Sequence, residues 1–197
     1  FKNNTFWAAY RWGTGDINIG WRVNATNYQL TYVWTADTSW HHIAVVLNGP
    51  SLKMYLDGAQ VASDTVTGTA NDAATDTLWI GRDSGGSQPC NFTIDEFRQS
   101  ITARYTAAFT PATEEFASDT NTKGLWHFNE NTGTSVADDS GNGNTLTLGT
   151  GASWVTGYAT SAGSVQVLDI IKGLLTVTGS AKGKFQLGHD TTSEIDI

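Results

Sequence analysis

The chain has 197 residues, of which 39% are hydrophobic and 15% charged, with 21 glycines and a single cysteine. Its formal net charge of −8 argues against nucleic acids and anionic membranes as partners, because both favour clusters of lysine and arginine. The sequence contains no run of 18 apolar residues, so it predicts no membrane-spanning helix.

The many glycine, threonine, asparagine and serine residues, without a sustained 3.6-residue apolar period, predict an all-β fold with numerous turns. Three strands are predicted first, at residues 5–11, 17–23 and 28–34. Most tryptophans of this region should pack in the core, since aromatic side chains prefer strands and bury large areas there. Trp12 is the candidate here for stacking against a sugar.

The stretch 39–62 has the pattern of an antiparallel three-stranded meander. Its apolar runs are separated by Asn48-Gly49-Pro50-Ser51 and by Asp57-Gly58. Asp-Gly between alternating strands is a strong hairpin signal, because both residues tolerate a positive φ. The alternation around Met54 predicts that this side chain faces the core.

His41 and His42 invite a catalytic or metal-binding interpretation. Neighbouring residues on a strand point to opposite faces, so these two side chains cannot bind one ion together. We therefore expect a structural role for both.

Four motifs follow one another along the chain: Trp40-His-His-Ile-Ala-Val-Val, Leu52-Lys-Met-Tyr-Leu-Asp-Gly, Leu78-Trp-Ile-Gly-Arg and Ile94-Asp-Glu-Phe-Arg. In this order they resemble the laminin G-like, concanavalin A-like lectin family, in the version found in phage tail-fibre and virion surface proteins. The resemblance implies a two-sheet antiparallel jelly-roll sandwich. Family members normally carry further strands before this region. Those strands either lie outside this chain or come from elsewhere in the polypeptide.

The next strand is predicted at residues 77–81, with Trp79 facing outward as a second candidate for ligand stacking. Loops at this end of the sandwich often hold calcium and glycans in the family that the chain resembles. Asp83 is thus a candidate calcium ligand, although calcium takes six to eight oxygen ligands and one aspartate does not make a site.

Asp95 and Glu96 are adjacent carboxylates on a predicted strand. Hydrolases of the same architecture place their acid and nucleophile within a Glu-x-Asp-x-Glu motif, and this sequence contains none. Glycoside cleavage needs two cooperating carboxylates, so the sequence predicts no catalytic residues and no enzyme activity.

The domain prediction places a sandwich at 1–110, a linker at 111–123 and a partial second β module at 124–197. The second module begins like another laminin G-like repeat, and this likeness ends near Gly163. Apolar runs after residue 164 predict strands that pair with another chain or with later residues.

Asp138, Asp139, Asn142 and Asn144 concentrate oxygen-bearing side chains around two glycines that allow a tight turn. One interpretation is a calcium site. The alternative is an Asx/Gly turn that its own backbone satisfies.

The sequence predicts a non-catalytic display or adhesion module of a virion fibre or similar extracellular assembly. We expect it to bind a cell-surface glycan, with calcium as a candidate cofactor, and to be oligomeric within that assembly. The alternative is a purely structural building block that mediates contacts between subunits.

Overall fold

The computed structural model describes residues 6–11, 16–23, 26–35, 37, 39–67, 77–80, 92–149, 151–156, 166–170, 175–178 and 183–188. Every regular element in these ranges is a β-strand, and the pairing between strands is antiparallel. The predicted all-β class is therefore confirmed. No helix among the described residues is long and apolar enough to cross a membrane.

In chain order the strands are β1 (Phe6–Arg11), β2 (Asp16–Val23), β3 (Thr26–Val33), β4 (His41–Asn48), β5 (Ser51–Leu56), β6 (Ala59–Thr65), β7 (Thr77–Ile80), β8 (Thr93–Ile94), β9 (Phe97–Ser100), β10 (Thr122–Trp126), β11 (Ser135–Val136), β12 (Leu146–Leu148), β13 (Ala152–Thr156), β14 (Gln166–Ile170), β15 (Leu175–Thr178) and β16 (Gly183–Gly188). The described strands form three sheets. One has the order β1-β2-β3 and another the order β11-β12-β15-β7. The largest runs β13-β14-β8-β16-β4-β5-β6, with β9 pairing both β10 and β16.

The predicted meander corresponds to β4, β5 and β6. Asp57 and Gly58 have φ values of 50° and 82°, the positive values that this hairpin turn requires. Met54 lies opposite Val45 and is fully buried, so the predicted facing of this strand is confirmed.

The main core combines strands from both ends of the chain. Ile17, Ile43 and Leu52 belong to one buried cluster together with Trp126 and Leu146. A smaller cluster lies on the other side of β4 and β5, where Ala103, Tyr105 and Phe109 pack against Ala44, Val46 and Tyr55. Strand β4 is therefore apolar on both faces, as its continuous Ile-Ala-Val-Val run suggests.

Strands on either side of the predicted linker pair with each other. β10 pairs with β9, and the Trp126 ring stacks on the Phe97 ring with centroids 5.5 Å apart. Further along the chain, β14 pairs with β8, β15 with β7 and β16 with β4. The strands of residues 124–197 thus share sheets with those of residues 1–110, and the division into separately folding domains stays a prediction.

Candidate functional site

Asp138 organises the turn for which the sequence left two interpretations open, a calcium site and an Asx/Gly turn. Its Oδ1 accepts hydrogen bonds from the backbone N–H groups of Leu125 and Ser140, both at 3.0 Å. Its Oδ2 accepts from the backbone N–H of Asn144 at 2.8 Å and from Asn144 Nδ2 at 3.0 Å. Burial alone would raise the pKa of Asp138, but hydrogen bonds from Ser140, Asn144 and Leu125 outweigh it and lower the pKa.

The two asparagines of this turn direct their amide N–H groups at the backbone of the neighbouring strand. Asn142 Nδ2 donates to the carbonyl of Thr122 at 3.1 Å, and Asn144 Nδ2 donates to the carbonyl of Lys123 at 2.8 Å. Gly141 and Gly143 have φ values of 79° and 77°, which allow the chain to curl around Asp138. These hydrogen bonds match the Asx/Gly-turn alternative, while calcium binding stays a prediction.

The carboxylate of Asp139 lies near the partly buried ring of His127. His127 Nδ1 lies 2.8 Å from Glu96 Oε1, and His127 Nε2 lies 3.6 Å from Asp139 Oδ2. Glu96 Oε2 accepts a hydrogen bond from the backbone N–H of Phe116 at 2.9 Å. Burial acts to lower the pKa of His127, but Glu96, Glu115 and Asp139 outweigh it and raise the pKa.

Glu96 itself is almost fully buried, with 2% of its surface exposed, and has a φ of 54°. It lies in the short connection between β8 and β9, not within a strand as the sequence predicted. Non-glycine residues rarely adopt this conformation, so the surrounding contacts must hold it in place. The His127 ring can hold a proton between two carboxylates. Through His127 and the Phe116 N–H, Glu96 joins segments that are distant along the chain.

A second histidine cluster lies at the end of the β4–β5–β6 meander. His41 Nδ1 lies 2.7 Å from Asp57 Oδ2, and His41 Nε2 lies 2.9 Å from Asp37 Oδ1. Burial acts to lower the pKa of His41, but the two carboxylates outweigh it and raise the pKa. The Trp34 ring meets the imidazole edge-on, with centroids 4.8 Å apart.

His42 faces the opposite side of the strand, as predicted. It is buried, and its ring packs edge-on against Tyr105 and Phe109. The two histidines therefore belong to different environments and cannot share an ion. Within the described residues, no three histidine, cysteine, aspartate or glutamate side chains are grouped so as to hold a metal ion.

The structure says little about the three remaining predicted site residues. Asp83 and Trp12 lie outside the described residues. For Trp79 the structure describes the backbone, which pairs with Thr176 in the β7–β15 ladder, but not the side chain. Their roles as ligand-binding residues stay predictions.

Sequence reasoning missed both carboxylate–histidine clusters. The Glu96–His127 contact joins residues 31 positions apart, and no local pattern indicates such a pair. For His41 one signal was present, because the hairpin that ends at Asp57 brings this residue beside the start of β4.

A laminin G family model, described as the concanavalin A-like lectin/glucanases superfamily, matches residues 1–108. Because this is more than half of the 197 residues, the chain belongs to that superfamily. Comparisons with curated proteins and with solved structures find no significant match. The match ends before residues 116–149, a segment that supplies the partners of Glu96 and much of the core.

Replacing Asp138 with asparagine should destabilise the protein, because an amide nitrogen would then face N–H donors. One hydrogen bond to a charged group contributes about 1.5–3 kcal/mol. We therefore expect urea unfolding at pH 7 to show a loss of at least ~2 kcal/mol in the free energy of unfolding.

Asp139→Asn is the matched control, because this carboxylate is about half exposed and should contribute little. Equal losses in the two variants would contradict the role given to Asp138.

The Asp139→Asn variant also tests the calcium prediction. If an ion lies in the loop, calcium should raise the melting temperature of the unaltered protein, and Asp139→Asn should abolish that rise. Melting that is indifferent to millimolar calcium and to chelator would contradict calcium binding.

His127 should make stability depend on pH. Because its folded pKa is raised above the ordinary value of 6.5, its contribution is fully present below about pH 6.5 and is lost as the pH rises through the folded pKa. Unfolding curves from pH 5.5 to 9 should show this decline. His127→Gln should reduce it, and His41→Gln should reduce it separately, because the pKa of His41 is also raised, within a different cluster. An unchanged pH profile in His127→Gln would contradict the assignment.

Proposed function

We propose that the protein is a non-catalytic, glycan-binding module that is displayed on the surface of an extracellular assembly, such as a virion fibre. The observation that carries this proposal is membership of residues 1–108 in a superfamily whose description names lectins and glucanases. Whether the chain binds or cleaves glycans depends on what its carboxylate side chains contact.

Three of the four described glutamates make contacts that support binding over catalysis. Glu96 is buried, and its two oxygens contact His127 and the Phe116 N–H. Glu115 accepts a hydrogen bond from Asn129 Nδ2 at 2.8 Å, and Glu130 accepts one from the backbone N–H of Ala137 at 2.7 Å. Cleavage of a glycosidic bond needs a pair of carboxyl groups that flank the substrate. Side chains engaged in this way serve the fold instead.

The cluster around His41 offers chemistry suited to a saccharide. Asp37 and Asp57 keep about half of their side-chain surface exposed, at 54% and 49%. His41 contacts both carboxylates, and the half-buried Trp34 ring packs edge-on against the His41 imidazole. Ligand sites typically combine an aromatic surface with a few fixed polar groups, so this end of the meander supports glycan binding along with the predicted Trp12 and Trp79.

We expect a glycan array to identify at least one bound glycan class. Asp37→Asn or Trp34→Ala should weaken that binding at least tenfold if the His41 cluster is the site, and Trp12→Ala or Trp79→Ala should do so if the predicted tryptophans are. Asp64→Asn is the control for Asp37→Asn, because Asp64 is an exposed aspartate on β6.

Array binding repeated with calcium and with chelator tests whether the ion takes part. Absence of binding to any glycan would contradict the proposal and favour the structural building block. Reproducible release of reducing ends from a polysaccharide by the unaltered protein would contradict the non-catalytic part.

A further inference from the structure

Two asparagine–glycine pairs occur in the chain, at Asn48-Gly49 and at Asn142-Gly143. An asparagine before glycine can lose its side-chain amide spontaneously, because glycine has no Cβ to hinder the approach of its backbone nitrogen to the asparagine Cγ. Both pairs lie in turns, with φ values of 56° at Gly49 and 77° at Gly143. A Cβ at either glycine would meet nothing within 4 Å. The two pairs therefore differ mainly in what holds the asparagine.

The side chain of Asn48 is exposed at the end of β4 and forms no hydrogen bond with another residue of the described chain. An asparagine in a turn often accepts a hydrogen bond from the backbone N–H two residues later. Pro50 occupies that position and has no N–H to donate. The Gly49 N–H likewise meets no acceptor within the described ranges. The amide of Asn48 and the nitrogen that can attack it are therefore both unrestrained.

Asn142, in contrast, is held by its amide group. Its Nδ2 donates to the carbonyl of Thr122 at 3.1 Å and to Ser140 Oγ at 3.0 Å. Its backbone N–H donates to the same Oγ at 3.3 Å. These hydrogen bonds must break before the side chain can turn toward the Gly143 nitrogen and release its amide. The same pair of residues is thus open to reaction in one turn and protected in the other.

We propose that Asn48 is a modification site, at which the side-chain amide is lost spontaneously with water as the co-reactant. The backbone nitrogen of Gly49 attacks Cγ of Asn48 and forms a new C–N bond. The amide leaves as ammonia, taking up the proton of the Gly49 N–H, and a five-membered succinimide ring remains. Water then adds to one of the two ring carbonyls and breaks its C–N bond, which gives aspartate or isoaspartate. No atom is oxidised or reduced.

The turn that would change supports one edge of the largest sheet. Asn48 pairs with Ser51 in the β4–β5 ladder, and the Pro50 carbonyl accepts a hydrogen bond from the backbone N–H of Val66 at 2.7 Å. Val66 belongs to the main core cluster. Isoaspartate adds a methylene to the backbone at position 48 and therefore disturbs this ladder and the link to Val66. Aspartate adds a negative charge to a chain whose net charge is already −8.

This inference goes beyond glycan binding and rests on different residues. Asn48 ends β4, whereas His41, whose cluster supports the glycan site, begins it. Seven residue steps of about 3.4 Å each place them roughly 24 Å apart. Modification of Asn48 therefore leaves the His41 cluster intact, and either proposal can fail without the other.

The test uses the unaltered full-length chain, incubated in mildly alkaline buffer with and without urea at a concentration that unfolds it. Alkaline buffer favours the reaction, because the attacking backbone nitrogen must lose its proton. Trypsin cleaves after Lys53 and after Lys123, so the two asparagine–glycine pairs fall on different peptides. Mass spectrometry measures the fraction of each peptide in which an acid has replaced the amide. Labelling by an isoaspartate methyltransferase identifies the isoaspartate product.

In the folded chain we expect Asn48 to react at least tenfold faster than Asn142, whose hydrogen bonds must first break. In urea the two rates should converge, because both sites then present the same pair of residues. Equal rates in the folded chain, or a faster reaction at Asn142, would overturn the proposal. A difference of the same size in urea would also overturn it, because the neighbouring sequence would then set the rates. So would an Asn48 that reacts only in urea, because the folded turn would then protect it.

Discussion

The buried carboxylate of Glu96 is the constraint on which the rest of this structure depends. A buried charge is costly unless hydrogen bonds and an opposite charge satisfy it. Glu96 obtains both from beyond the family-matched residues, through the Phe116 N–H and the His127 ring. Its positive φ adds strain that only a fixed environment maintains. Glu96 belongs to the last motif of the family domain, but its hydrogen-bonding partners lie in residues that the family model does not match.

Residues 116–149, which we call the closing segment, supply these partners of Glu96 and also part of the buried core. Asp138 holds the turn that follows β11, and this turn positions the carbonyls and side chains around β10. Trp126 is buried against Phe97 and donates its Nε1–H to the carbonyl of Asn144 at 2.8 Å. The polar turn is thus a support for the buried strand beside it. Function at the surface, whether glycan binding or subunit contact, depends on a core that is closed in this way.

The sequence predicted well what depends on neighbours along the chain. The Asp57-Gly58 turn, the facing of Met54 and the opposite directions of His41 and His42 all follow from local rules, and the structure confirms them. The all-β class follows from composition and from the absence of a helical apolar period, and the superfamily follows from motif order. The turn at Asp138 was recognised with two interpretations, because the same residues suit an ion and a backbone.

What the sequence could not predict arises from contacts between distant segments. Nothing near Glu96 indicates that His127 will lie beside it. The likeness of residues 124–163 to the start of a new repeat likewise gives no sign that β10 pairs with β9. Periodicity identifies a strand and its buried face, but the choice of neighbouring strand depends on the whole sheet.

Native-state hydrogen exchange tests most directly whether the closing segment and the family domain form one unit. Backbone amides that open together share one free energy of opening. We predict that the amides of β10 and those of β5 exchange with the same free energy of opening. Amides of β10 that open at a clearly lower free energy than those of β5 would contradict the account, because the family domain would then remain folded without its closing segment.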